Sequence, residues 1–150
     1  MKTLLIGVGS ILRTDDGAGP LLIEKVEANP IEGVVPLDGG TVPENTTHIV
    51  KAEQPDRVIL VDAAEMNIAP GSIRLIDEND IAKSLFITTH TMPLNFLIDA
   101  YKKICKDIYF IGIQPKSLEF CDEMSPEVSQ AVDTVYELIK TGAFADLEYI

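Results

Sequence analysis

From residue 3 to residue 140 the chain alternates short apolar runs with stretches whose apolar positions recur at helical spacing. TLLIGV (Thr3–Val8), RVILVD (Arg57–Asp62) and YFIGI (Tyr109–Ile113) are nearly continuous apolar runs, the pattern of strands buried on both faces. VVPLD (Val34–Asp38) predicts a strand near a sheet edge, because Pro36 has no N–H to give to a ladder. SIRLI (Ser72–Ile76) alternates after a Pro-Gly turn and predicts a half-exposed strand. Helices are predicted over Leu21–Val26, over Pro43–Glu53 more weakly, and over Pro93–Cys105, where Leu94, Leu97, Ile98, Tyr101, Ile104 and Cys105 share a face. A last helix is predicted over Ser125–Lys140, opening with Ser125-Pro126 as cap and first residue.

This alternation predicts a mostly parallel α/β sheet covered on both faces, forming a single domain over residues 1–150. Such sheets bind ligands beyond the carboxyl ends of their strands, where strand order reverses. Three strands in a row deliver aspartates to that edge: Asp15 and Asp16 follow the first, Asp38 ends the second and Asp62 ends the third. His90 precedes a helix leading into a parallel strand, so it belongs to the same edge. Clustered carboxylates repel unless a cation or proton lies between them. Two Asp and one His with room for further ligands suit a borderline divalent cation such as nickel or zinc.

Each of these residues also has a plainer role. Asp38 before Gly39-Gly40 suits turn chemistry, and Asp62 could end its strand with an Asx-turn. One member of the Asp15–Asp16 pair fits a helix cap; Asp15 comes first and is the better placed, which leaves Asp16 to point toward Asp62. Pro20 lacks the donor of a regular turn from Asp16, so the first turn should be loose or start late. His48 has no acidic motif beside it and reads as structural.

Charge and composition narrow the partners. The formal net charge is -12, which repels phosphate backbones and argues against nucleic acid. No apolar run approaches the roughly 18 to 20 residues of a membrane span, and Met1-Lys2 leads straight into a strand pattern with no signal peptide. Cys105 and Cys121 form no metal-type cluster and read as free thiols of a cytoplasmic protein. Gly7-Val8-Gly9 hints at dinucleotide binding, but Leu12 stands where a third glycine is needed. A phosphoacceptor domain would need lysine at the end of the last strand, where Gln114 stands.

GVGSILRTDDGAGP, DGGTVPEN, ILVDAAEM, TTHTMPLNFLID and the GIQP after the last strand together resemble the nickel-iron hydrogenase maturation endopeptidases over essentially the whole chain. The resemblance implies a three-layer α/β/α fold with a five-stranded twisted sheet of order 2-1-3-5-4, the fourth strand antiparallel. It implies an aspartyl-type endopeptidase that clips the C-terminal extension of a hydrogenase large-subunit precursor once nickel is inserted. By similarity the nickel-binding residues fall on Asp16, Asp62 and His90. Nickel would arrive with the precursor, and zinc or cadmium could occupy the same ligands. Ser10 departs from the family's usual Asn after the G-x-G. On this reading Asp16 is catalytic through the metal, and Asp38 is a candidate for orienting or deprotonating the attacking water. A nickel-binding maturation or chaperone module without peptidase activity is the competing reading.

Overall fold

Thr3–Val8 forms strand β1 with all six residues buried, as its unbroken apolar sequence requires. In the computed structural model, which describes residues 1–41, 43–77, 94–119 and 123–150, β1 pairs in parallel with β2 (Val34–Gly40) and with β3 (Arg57–Ala63). β3 pairs in parallel with β5 (Asp107–Ile113), and β5 pairs antiparallel with the short β4 (Ile73–Leu75). The sheet order is therefore 2-1-3-5-4 with β4 reversed. The strand order turns back between β1 and β3, which leaves a crevice at their carboxyl ends.

Helices α1 (Ala18–Ala28) and α4 (Pro126–Thr141) cover one face and α2 (Thr47–Glu53) and α3 (Leu94–Lys102) the other. Alternation along the strands separates the two cores. Leu5, Ile59, Val61 and Ile111 pack with Leu22, Ile23, Val132 and Val135. Leu4, Ile6, Leu60 and Phe110 pack with Val50, Leu97, Ile98 and Tyr101 on the opposite face. Burying each such aliphatic side chain is worth about 1.5–3 kcal/mol, and β1 and β3 contribute to both cores.

Two local devices fit the helices to the sheet. Ser125 caps α4, its hydroxyl accepting from Val128 N–H at 3.4 Å, with Pro126 as the first helical residue. On the same face α1 crosses β1 at a glycine pair: a Cβ on Gly7 would stand 2.3 Å from the Gly19 carbonyl, and one on Gly19 would stand 2.4 Å from that of Val8. α1 starts at Ala18, earlier than the sequence pattern suggests, directly after a 3-10 turn at Thr14–Gly17. Pro20 is its third residue, where the N–H would have no helical partner in any case. The expected helix at Pro43–Glu53 is split into a 3-10 turn, Pro43–Thr46, and α2. Beyond β4, Leu75 N–H donates to the Glu148 carbonyl at 2.9 Å and Ile150 N–H to the Leu75 carbonyl at 3.0 Å, so residues 148–150 run along the outside of β4.

Candidate active site

The loop after β1 is built around glycine and short polar side chains. Gly9 has φ +138, and a Cβ there would lie 1.9 Å from the Asp16 carbonyl oxygen. Only glycine lets the loop fold back over the turn that carries Asp16. Gly7 and Gly9 are thus explained by close backbone approach, with no dinucleotide required. Ser10 N–H donates to Asp16 Oδ2 at 2.9 Å, and Ser10 Oγ accepts from Leu12 N–H at 3.2 Å. The serine that departs from the family pattern closes its turn through its own hydroxyl. Thr14 follows with φ 46, a conformation that costs a β-branched residue about 1–2 kcal/mol. Its hydroxyl donates to the Glu119 carbonyl, and Asp15 N–H donates to Ser117 O at 3.2 Å.

Asp15 is not a helix cap, and this corrects the sequence expectation. Neither the 3-10 turn nor α1 has a side-chain cap. The Asp15 carboxylate is fully buried and turned toward the loop between β5 and α4. Its Oδ2 accepts from Lys116 N–H at 2.7 Å and Ser117 N–H at 3.0 Å, and its Oδ1 from Ser125 N–H at 2.8 Å. The Ser125 hydroxyl lies 2.9 Å from both oxygens. One carboxylate therefore ties the turn after β1 to the start of α4.

Asp16 and Asp62 are buried carboxylates at the carboxyl ends of β1 and β3. Asp16 is 1% exposed and Asp62 0% exposed. β1 and β3 are neighbours in register, Gly7 opposite Val61, and the turn carrying Asp16 packs on β3. Asp62 shares the strand face of Val58 and Leu60, the side covered by α2 and α3. Asp38 is on the same edge, two strands from Asp62, since Gly7 pairs with Asp38 on one side and Val61 on the other. Asp38 is exposed, and its Oδ1 accepts from Gly40 N–H at 2.8 Å across a register shift in β2. Its turn role is thus real, and the carboxyl group remains in reach of solvent. His90 and Cys121 lie outside the described residues. His48 is exposed in the first turn of α2.

Gln114, which in the sequence stands where a phosphoacceptor domain needs lysine and belongs to the GIQP stretch, organises the rim. It is 3% exposed, accepts from Met66 N–H at 2.7 Å and donates to Glu65 Oε2 at 2.8 Å. It fixes the segment that follows Asp62. The signal available in the sequence was a polar residue directly after the all-apolar YFIGI. Cys105 is 5% exposed and precedes β5, at the amino edge opposite the aspartates; its Sγ lies 3.6 Å from the Asp107 carbonyl.

Among the described residues no group of three His, Cys, Asp or Glu side chains forms a complete metal site. Two buried carboxylates on one edge are hard, anionic donors that attract a divalent cation but leave most of its coordination to other groups. The donor set fits a metal that brings ligands with it better than one held permanently.

The family profile described as hydrogenase maturation protease matches residues 20–141. The hydrogenase 3 maturation protease of Escherichia coli K12 is 43% identical over 151 residues, covering 98% of this chain and 97% of the relative. The solution structure of the E. coli endopeptidase HycI superposes with a TM-score of 0.91 at 40% identity, covering 99% of this chain and 96% of that one. The E. coli hydrogenase-maturating endopeptidase HybD superposes with a TM-score of 0.79 at 27% identity, covering 97% and 94%.

Proposed function

The chain belongs to the hydrogenase maturation proteases, and from that premise we propose that it removes a C-terminal extension from the large-subunit precursor of a nickel-iron hydrogenase after nickel insertion. The observation that carries this reading is the pair of buried carboxylates, Asp16 and Asp62, brought to one sheet edge by neighbouring strands. Nickel is here part of the substrate: it arrives on the precursor, and Asp16, Asp62 and His90 complete its coordination. Held by these residues, nickel would bring the scissile region to the site and would supply Lewis-acid chemistry toward a carbonyl or a water.

The chain's own groups do the rest. Asp16 is held in place through Ser10 N–H, so its carboxylate meets the substrate without reorganising. Exposed Asp38 takes a proton from the attacking water and returns it to the leaving amine. The water's hydroxyl ends on the carbonyl carbon and its proton on the nitrogen, which balances the hydrolysis. A cysteine nucleophile is not needed, and Cys105 is at the wrong edge to serve as one. We place the activity in the cytoplasm, where Cys105 stays a thiol. No helix among the described residues is long and apolar enough to cross a membrane.

The test is to incubate the protein with nickel-loaded and nickel-free precursor and to read the clipped tail by mass spectrometry. Cleavage of the loaded precursor alone is the expected result. Equal cleavage of both would remove nickel from recognition, and cleavage of neither would remove this substrate.

A further inference from the structure

The sheet has two outer strands, and their backbones differ in what they offer. At β4 the outward N–H and C=O of Leu75 are already taken by Glu148 and Ile150. At β2 the hydrogen bonds show which residues face outward. Thr3, opposite Val34, donates to the Gly33 carbonyl at 2.8 Å. In a parallel ladder this turns residues 33, 35 and 37 toward β1 and residues 34, 36 and 38 away from it. Pro36 agrees, since proline is tolerated where its nitrogen faces out of the sheet.

The outer rim of β2 is therefore nearly bare of donors. Val34 N–H is used by the Ile31 carbonyl at 3.1 Å, and Pro36 has none. Asp38 is the one outward position of the three that offers both a free N–H and a C=O; its only hydrogen bond within the described residues is through its carboxylate, from Gly40. Beside it is an open groove of ≈ 510 Å³ whose lining includes Leu37, Asp38, Thr46 and Ile49. A polypeptide that pairs with this rim can form a full two-bond pair only at Asp38, so the rim discourages indiscriminate strand addition and sets one register.

We propose that the C-terminal extension of the hydrogenase large-subunit precursor docks as an added strand on the outer edge of β2, registered by the Asp38 backbone pair, with a side chain in the adjoining groove. This rests on the substrate assigned above. The spacing agrees with that substrate. β2 is two strands from β3, and a further strand would lie about 14 Å from β3 at about 4.8 Å per strand. At about 3.3 Å per residue, some four extended residues bridge the peptide held at Asp16 and Asp62 to the one paired at Asp38. The main-chain bonds supply affinity with little dependence on sequence, and the groove selects one side chain.

Two variants test the pairing in the processing assay with nickel-loaded precursor. Pro36→Val adds an outward N–H to the rim and should lower KM about fivefold, the worth of one net hydrogen bond, with kcat unchanged. Ile49→Arg fills the groove and should raise KM tenfold or more with kcat within twofold. Thermal midpoints confirm that each variant is folded, and either one alone suffices if the other does not fold. A wild-type KM in a folded variant of either kind overturns the pairing, even though the protein cleaves its precursor. If the wild-type protein does not cleave that precursor, the substrate assignment itself falls and the pairing with it.

Discussion

Replacing Asp15 by Asn separates two roles for this residue by the size of the effect. A helix-capping aspartate tolerates Asn with a loss of about 1 kcal/mol or less, because Asn caps as well. The carboxylate seen here accepts three backbone N–H groups and a hydroxyl with both its oxygens. Asn carries an NH2 in place of one oxygen. Turned toward Lys116 and Ser117, that NH2 opposes two donors. Turned the other way, it opposes the buried Ser125 N–H. A hydrogen bond to a charged group is worth about 1.5–3 kcal/mol and a stranded buried donor costs about 1–3 more, so either orientation loses about 3–4 kcal/mol. For a chain of this size that lowers the thermal midpoint by about 10 °C. The assay is urea unfolding followed by far-UV circular dichroism, with linear extrapolation to water. Ser125→Ala is the companion variant and should lose about 1–2 kcal/mol through its cap and its hydroxyl bond. A loss of about 1 kcal/mol or less for Asp15→Asn would refute the clasp and restore the cap.

Asp16→Asn should abolish processing and metal uptake while the thermal midpoint stays or rises, because Asn keeps the Ser10 contact and removes one of two buried like charges. His90→Ala should also stop tail removal in the mass-spectrometric assay with the midpoint unmoved; a large drop in midpoint with activity retained would make the histidine structural. Gly19→Ala places a Cβ 2.5 Å from Val8 N and 2.9 Å from the Val61 carbonyl, so α1 must shift, with a loss of about 1–3 kcal/mol or more on urea unfolding. Alkylating a Cys121→Ser variant with iodoacetamide should leave its processing rate unchanged, since its remaining thiol, Cys105, is buried at the far edge; rapid inactivation that substrate prevents would point to a cysteine nucleophile.

The strands were legible because β1 and β3 are buried on both faces and so read as unbroken apolar runs. The edge position of β2 was legible from Pro36 alone, and the cap of α4 from Ser125-Pro126. The gathering of Asp16, Asp38 and Asp62 at one edge followed without any coordinates from the parallel α/β pattern, which puts the carboxyl ends of β1, β2 and β3 side by side. What could not be read was the division of labour between Asp15 and Asp16. Adjacent aspartates have the same local propensities, and their difference depends on backbone N–H groups about a hundred residues away. The early start of α1 escaped for a related reason: glycines at 17 and 19 weaken helix propensity, and the crossing over Gly7 that favours glycine at 19 is a tertiary contact.

That the turn after β1 is held by residues 116–125 has a consequence for how the protein comes into being. β1 leaves the ribosome before β2 and β3 and can pair with them while the segment beyond β5 is still being made. The left-handed Thr14 and the buried Asp15 have no partners until the segment beyond β5 arrives, more than a hundred residues later. Closing so long a loop comes late in folding. The turn that carries Asp16 is therefore among the last parts of the molecule to set, and a nascent chain can pair β1 with β2 and β3 before it holds that turn.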